Sequence, residues 1–383
     1  MRRRNILFMT SWYPTHEKPG WGVFVREHAK AVRLYHDVSV LHCPLPFAGL
    51  RSLTRFEQVT DETLTEGILT YRVQCRRWAS SRVTDLFYIW SVWRAFRRIV
   101  ADGDHPDVLH AHIYEAGVPA AVIGRRFRIP LVVTEHYSVF PRRLLVPREV
   151  QKAERAFRSA KWVLPVSQVL RQAIEAYGIT AHFRVVPNAV DVSLFYPDRE
   201  NKTVRRPQHG LLWVGALIPL KGLDHLLRAL AQLRRQRVDW QLDIIGDGPQ
   251  RSEYERLATE LGLAEGVTFH GYKPKLEVAE FMRRADLFVL SSLFETFSAV
   301  CAEALASGLP VLATRCGGPE DFIGEDVGRL VPPGDSDALA RALSEMLDNL
   351  TGFSPTRLAQ YAAERFSYER VGAQLDAIYD EVA

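Results

Sequence analysis

The chain has 383 residues, 47% hydrophobic and 25% charged, ordinary globular values for a protein of two or three domains with a sizeable core. Its 49 basic and 45 acidic residues leave a net charge of +4, and no arginine-aromatic interleaving of the RNA-binding kind occurs, so no nucleic-acid partner is expected. The scattered Cys43, Cys75, Cys301 and Cys316 contain no Cys-x-x-Cys pair, which speaks against a disulfide or metal framework and fits a reducing, cytoplasmic setting.

Met1-Arg2-Arg3-Arg4 is basic like the start of a signal peptide, but only Ile6 to Met9 follow before polar Thr10 and Ser11. That is too short for a signal core or a membrane span, and it reads as a charged lead into a first buried strand, Asn5 to Met9. Gly20-Trp21-Gly22 then opens a helical run from Val23 to Val32. Val25 stands where a Gly-x-Gly-x-x-Gly dinucleotide fingerprint needs a small residue, so that fingerprint fails.

Short strand-like runs follow at Asp37–Leu41, Leu69–Val73, Val108–His110, Leu131–Thr134 and Val163–Val166, with helical patterns between most of them. This alternation predicts a largely parallel sheet. Leu86 to Val100 is amphipathic, aromatic and basic; it suits either a helix packed on that sheet or a helix on a membrane surface. Arg125, Arg126, Arg128, Arg142, Arg143 and Arg148 concentrate positive charge in this half, as solvated surface or as a face for anionic lipid or an acidic acceptor. Glu135-His136 ends the strand Leu131–Thr134, which puts His136 at a carboxyl edge, where open α/β sheets bind ligands. His110 and His112, at the end of the preceding strand, lack a third ligand at metal-like spacing and are expected to be structural.

The polar stretch 196–208 is the candidate linker. Beyond it the same grammar restarts: Leu211–Val214 meets Gly215, Leu242–Ile245 meets Gly246-Asp247-Gly248, and Val267–His270 meets Gly271. Each strand ends on residues that let a ligand approach the backbone. Lys221-Gly222 opens a helix, Leu223 to Leu233.

Between the strand Leu287–Leu290 and the strand Val311–Thr314 lies a crossover segment whose helix starts near Ser298, a plausible N-cap, and stops at Gly308 and Pro310. Glu295 and Glu303 are separated by seven residues there, one ahead of the helix and one inside it, roughly 7–8 Å beyond Ser298. The backbone amides of Phe297, Ser298 and Ala299 lie between the carboxylates, where a helix N-terminus attracts phosphate. Acceptor, anion site and second acceptor outline a nucleotide sugar.

From Glu295 to Leu312, with Phe294, Ala304, Gly308 and Pro310 in place, the sequence resembles the Glu-x7-Glu signature of the retaining GT-B glycosyltransferases of the group 1, family 4 type. The resemblance implies a GT-B fold: two doubly wound Rossmann-like α/β domains facing across a cleft, with a C-terminal helix crossing back to the first. The boundaries implied are 1–195 plus 366–383 for an acceptor-binding domain, 196–208 for the linker and 209–365 for a nucleotide-sugar-binding domain.

It also implies roles. Glu295 and His136 would contact the transferred sugar, Lys221 the diphosphate and Glu303 the ribose. Gly215, Gly246, Gly248 and Gly22, with the amides of Phe297, Ser298 and Ala299, would line the donor. Gly271 to Pro274 resembles the segment that reads the base, and Gly317-Gly318-Pro319-Glu320 a glycine loop beside the donor. Two departures stand out. Ala216 occupies the place of an arginine that holds the diphosphate, for which Arg315 is a substitute, and Ala189 replaces the glycine of the Pro-Asn-Gly-Val-Asp motif.

The function implied is retaining, metal-independent transfer of a sugar from a nucleotide sugar, a UDP-sugar first, to a glycan or lipid-linked acceptor in bacterial surface-polysaccharide synthesis. No cofactor is expected, no Asp-x-Asp metal motif occurs, and the setting is cytoplasmic with peripheral membrane contact through the basic N-terminal domain. A sugar-nucleotide epimerase of the same fold and a non-catalytic nucleotide-sugar-binding subunit are the alternatives; loss of turnover on Glu295 substitution separates an enzyme from the latter.

Overall fold

A computed structural model describes residues 3–45, 54–59, 65–75, 77–198 and 208–383. The chain forms two compact units: 1–189 with 368–383, and 190–367.

The first unit holds strands β1 (Asn5–Thr10), β2 (Asp37–His42), β3 (Thr54–Val59), β4 (Thr70–Cys75), β5 (Val108–His112), β6 (Leu131–Glu135) and β7 (Trp162–Pro165). Their order is β3-β4-β2-β1-β5-β6-β7. All pairings are parallel except β3 with β4. Ile6, Leu7 and Phe8 are fully buried, as a parallel sheet covered on both faces requires. The covering helices are α1 (Val23–Arg33), α2 (Ser81–Ala101), α3 (Tyr114–Phe127), α4 (Pro147–Ser159) and α5 (Gln168–Glu175). Helix α2 buries Tyr88, Val92, Phe96 and Ile99, one stripe at helical spacing.

The second unit holds β8 (His209–Val214), β9 (Trp240–Ile245), β10 (Val267–Gly271), β11 (Leu287–Leu290), β12 (Val311–Thr314) and β13 (Gly328–Val331), in the order β10-β9-β8-β11-β12-β13, with every pairing parallel. Helices α6 (Leu223–Leu233), α7 (Arg251–Glu260), α8 (Lys275–Arg284), α9 (Ala299–Ala306), α10 (Ser336–Asp348) and α11 (Pro355–Phe366) connect and cover them. Leucines of α6 and α10 meet Trp213, Ile244 and Leu312 in one core. The two Rossmann-like α/β units expected from the sequence are present.

The last helix, α12 (Tyr368–Val382), belongs to the first unit and packs on α1. Its periodic Val371, Leu375, Ile378 and Tyr379 are fully buried, each contributing roughly 1.5–3 kcal/mol. Gly372 allows the contact, since a Cβ there would stand 2.4 Å from the Ala31 carbonyl oxygen.

The divisions differ in detail from the expected ones. The first unit ends at Ala189 rather than 195, because Val190 N–H donates to Phe366 O (2.7 Å) and Arg283 donates to Leu194 O (3.1 Å), which ties 190–195 into the second unit. The returning helix begins at Tyr368, not 366: extended Ser367 breaks α11 from α12. Residues 199–207 of the expected linker, and Met1-Arg2 of the basic lead, lie outside the described residues. The antiparallel edge strand β3 was not foreseen. Ala189 is buried without left-handed backbone, so alanine is unstrained where the resembled motif has glycine.

Candidate functional site

In the second sheet β9 and β10 extend to one side of β8 while β11 to β13 extend to the other, so the order switches between β8 and β11. Ligands of open α/β sheets bind outside the carboxyl ends of strands at such a point. One turn of 3-10 helix, Pro219–Lys221, follows β8 there, and left-handed Gly222 (φ 60°) starts α6. A Cβ on Gly222 would meet Ser291 O at 2.2 Å, so this turn needs glycine to lie against the end of β11. Leu293 N–H donates to Leu220 O (2.9 Å), and Ser291 Oγ bridges Lys221 O (3.1 Å) and Trp213 Nε1 (3.2 Å).

This lattice sets Lys221 Nζ 2.6 Å from Glu295 Oε1, which also accepts from Ser292 Oγ at 2.8 Å. Glu295 is itself fixed by backbone: its N–H donates to Cys316 O (2.8 Å) and its carbonyl accepts from Gly318 N–H (2.9 Å). Burial opposes the Lys221 ammonium, but the Glu295 carboxylate outweighs it and holds the lysine pKa above its ordinary value. Cys301 and Cys316 nearby are raised by burial, Cys316 to about 12, so neither is a thiolate at neutral pH.

Ser298 is the N-cap residue of α9, as its position predicted, but its hydroxyl does not cap. Its backbone is left-handed (φ 71°, ψ 74°) and its Oγ lies 3.3 Å from Cys301 Sγ. The amides of Phe297, Ser298 and Ala299 donate to no acceptor among the described residues, leaving the helix start open to an anion. The Phe297 side chain is core, against Phe322 and Phe366 at 5.3 and 5.5 Å, so only its backbone is available. Glu303 pairs with Lys275 Nζ at 3.3 Å at the start of α8. Ala216 is exposed on the loop after β8, and Arg315 is exposed just after β12.

The glycines have a second reason to be glycine. A Cβ on Gly246 would fall 1.8 Å from Gly215 O and one on Gly248 2.4 Å from Leu217 O, so these turns are filled by the neighbouring loop at the positions expected to admit a ligand. A Cβ on left-handed Gly22 (φ 70°) would meet Trp12 O at 2.3 Å, while Gly20 has nothing near it. Chain packing accounts for Gly22, Gly246 and Gly248, whatever else they touch.

In the first unit the order switches between β1 and β5, and the histidines gather there. Burial, with His28 and His110 alongside, pushes the His136 pKa well below the ordinary range, so the ring is neutral. Its Nε2 lies 3.0 Å from His112 Nδ1, and the Phe24 ring lies tilted beside it at 4.4 Å. The Glu135 carboxyl oxygens accept from the amides of Tyr114, His136 and Tyr137, each at 2.9 Å, and so fix the backbone on which His136 sits. Ile113, between β5 and α3, is a β-branched residue at φ 66°, a strained conformation at this edge. His110 is structural as expected, held between Tyr379 Oη (2.6 Å) and Thr134 Oγ1 (2.7 Å).

Helix α1 supplies the third histidine that sequence spacing lacked: His28, His112 and His136 each offer a ring nitrogen within 4.8 Å of the others. Metal bonds of about 2.0–2.1 Å would require somewhat closer nitrogens, and hydrogen bonds use part of the set, His112 with His136 and His28 Nε2 with Pro187 O at 3.0 Å. Ser292, Lys275, Glu135 and His28 escaped the sequence reading. Only Ser292, small and polar two residues past a strand, carried a local signal.

Residues 197–365 match the family model described as glycosyl transferases group 1, and 20–194 match glycosyltransferase family 4. A Bacillus subtilis protein named for teichuronic acid biosynthesis glycosyl transfer is 30% identical over 97% of this chain and 95% of its own length. A GDP-mannose-dependent phosphatidylinositol monomannoside mannosyltransferase of Mycolicibacterium smegmatis is 29% identical, covering 68% of this chain and 74% of that protein. Among solved structures, Anabaena HepE in complex with UDP and glucose superposes with a TM-score of 0.75 at 21% identity over 100% of both chains. Sucrose-phosphate synthase from Thermosynechococcus elongatus gives 0.75 at 21% identity, over 99% of each.

Proposed function

The chain belongs to the group 1 glycosyl transferases of GT-B fold, and from that premise we propose that it moves a sugar from a nucleotide sugar to a glycan or lipid-linked acceptor in bacterial surface-polysaccharide synthesis. The anomeric configuration is retained and no metal takes part. The observation that carries this reading is the Lys221–Glu295 pair beside the open amides of α9, at the strand-order switch.

A donor diphosphate is a stronger partner for Lys221 than one carboxylate. With the donor bound, Lys221 turns to the phosphates and the α9 amides neutralise the charge that grows on the leaving group. Glu295, released from the lysine and kept in place by its backbone bonds and Ser292, accepts from sugar hydroxyls. Neutral His136 orients the ring with it, and Glu303 holds the ribose. The leaving phosphate takes the acceptor's proton, so the sugar-facing carboxylate need not act as a nucleophile, and lysine with amides supplies the charge a metal would otherwise supply. The family Glu-x7-Glu signature supports retention. The UDP bound by HepE favours a UDP-sugar, the GDP-mannose-dependent relative a GDP-sugar as second choice, and the teichuronic acid relative a surface polymer. The site of action is the cytoplasmic face of the membrane.

The test is nucleotide release from UDP-, GDP-, ADP- and dTDP-sugars, with and without a bacterial lipid extract and with a chelator, for the native chain and Glu295→Ala. Release from one donor, stimulated by extract, indifferent to chelator and reduced at least 100-fold in the variant is expected. Nucleotide binding without turnover of any donor would instead support a non-catalytic subunit.

A further inference from the structure

Helix α2 is apolar on two faces. While Tyr88, Val92, Phe96 and Ile99 pack inward, Val83, Leu86 and Trp90 form an outward stripe at i, i+3, i+7, and Leu86 is 69% exposed. The stripe continues as exposed Arg94 and Arg97, whose guanidinium groups lie over Trp90 and Trp93 at 5.0 and 5.1 Å. A second exposed apolar pair, Leu144 and Val146, sits in the turn before α4, next to exposed Arg142 and Arg143. The turn lies beside the first two turns of α2: Arg148 bonds Ser81 and Asp85, and Lys152 reaches Asp85 at 2.9 Å. Those bonds engage Asp85, the one acid of α2. Among the described residues no carboxylate pairs with Arg82, Arg94, Arg97 or Arg142.

We infer that this surface, the outward face of α2 with the 142–146 turn, docks the protein on an anionic lipid bilayer. Charge decides the occupant: a soluble apolar partner would leave four arginines unmatched, whereas a bilayer offers acyl chains to Leu86, Trp90, Leu144 and Val146 and phosphates to the arginines flanking them. Tryptophan with stacked arginine suits the headgroup layer. The docking is superficial, since no helix among the described residues is long and apolar enough to cross a membrane. It specifies the membrane contact of the proposed function but does not depend on sugar transfer.

The experiment is co-sedimentation of the full chain with vesicles of phosphatidylcholine alone or with 30% phosphatidylglycerol, at low and high salt. The variants are Leu86→Ser/Trp90→Ser, Arg94→Glu/Arg97→Glu and, as a control on another basic surface, Arg125→Glu/Arg126→Glu, each checked for native circular dichroism. Binding should require phosphatidylglycerol, weaken with salt, fall at least tenfold in both α2 variants and change less than threefold in the control; about fivefold per arginine is the scale expected. No binding to anionic vesicles, binding indifferent to the α2 variants, or an equal loss in the control would overturn the inference. Nucleotide release from a soluble donor is read in parallel. Release without vesicle binding sinks the docking alone, and docking without release sinks the transferase reading alone.

Discussion

Two residues of the second unit carry opposite kinds of anomaly. Ser298 holds a left-handed backbone that costs a non-glycine residue roughly 1–2 kcal/mol, yet its hydroxyl caps nothing. Ser298→Gly therefore keeps the turn and removes the strain; after the extra entropy glycine brings to the unfolded chain, a gain of about 0.5–1 kcal/mol is expected in urea unfolding. A loss of stability would mean that the Ser298–Cys301 contact matters more than the backbone. Ala216 is the reverse case, an exposed position that is unstrained but lacks the charge of the resembled family's arginine. Ala216→Arg has room for its side chain, so the fold should be unchanged and the donor KM should fall several-fold with kcat unchanged or raised, since a cation on the diphosphate binds the donor and also the charge that grows as it leaves. An unchanged KM would place the missing charge elsewhere, with exposed Arg315 the first to substitute.

At the scale of elements, α12 on α1 shows how little space separates a contact from a clash. Four fully buried side chains hold the pair together, but Gly372 lets the backbones meet, with its Cβ direction aimed at Ala31 O and the Tyr35 ring. A helix backbone carbonyl cannot yield as a flexible side chain does. Gly372→Ala gains up to about 1 kcal/mol of helix propensity and loses more by forcing α1 and α12 apart. A net loss of about 1–2 kcal/mol is expected, seen as a lower urea midpoint and as faster amide exchange across Tyr368–Val382 than in α10. Equal stability would mean that α12 can slide along α1. The bridge from Arg184 to Glu381 (2.8 Å) is solvent-exposed and should matter far less.

For the whole molecule, the sequence reading succeeded where the signal is local and failed where the fold makes a choice. Most of the parallel strands are short apolar runs, and α12 shows its buried face at 371, 375, 378 and 379, so these were readable, while the parallel edge strand β13 was not foreseen. Strand β3 carries only two apolar residues, Phe56 and Val59, three apart and so without strand periodicity, and its antiparallel place at the edge is decided by β4. The Lys221–Glu295 bond joins residues 74 apart, and His28, His112 and His136 meet from α1 and the ends of β5 and β6. No spacing encodes either. That gathering gives the first unit its own pH dependence. Burial lowers His28 and, with Arg72, His42 to about 4, and pushes His110, His112 and His136 down as well. Burial raises Glu115, helped by Glu149, to about 7 and Glu135 to about 8. A histidine of depressed pKa binds its proton in the unfolded chain first, so stability is lost as pH falls from about 6.5 towards 4, by up to about 3 kcal/mol each for His28 and His42. A carboxyl of raised pKa stays protonated longer in the folded chain, so stability is lost as pH rises from about 4.5 through 7 to 8. Five histidines outweigh two carboxyls below pH 6.5, and the carboxyls act alone above it. The first unit should therefore be most stable near pH 6.5, losing more on acidification to pH 5 than on rising to pH 8. The strands of the second unit contain no comparable group and should vary little. Peptide-resolved hydrogen exchange at pH 5, 6.5 and 8, corrected for intrinsic rates, separates the units. Parallel change in β5 and β11 would show that the buried histidines do not set this dependence.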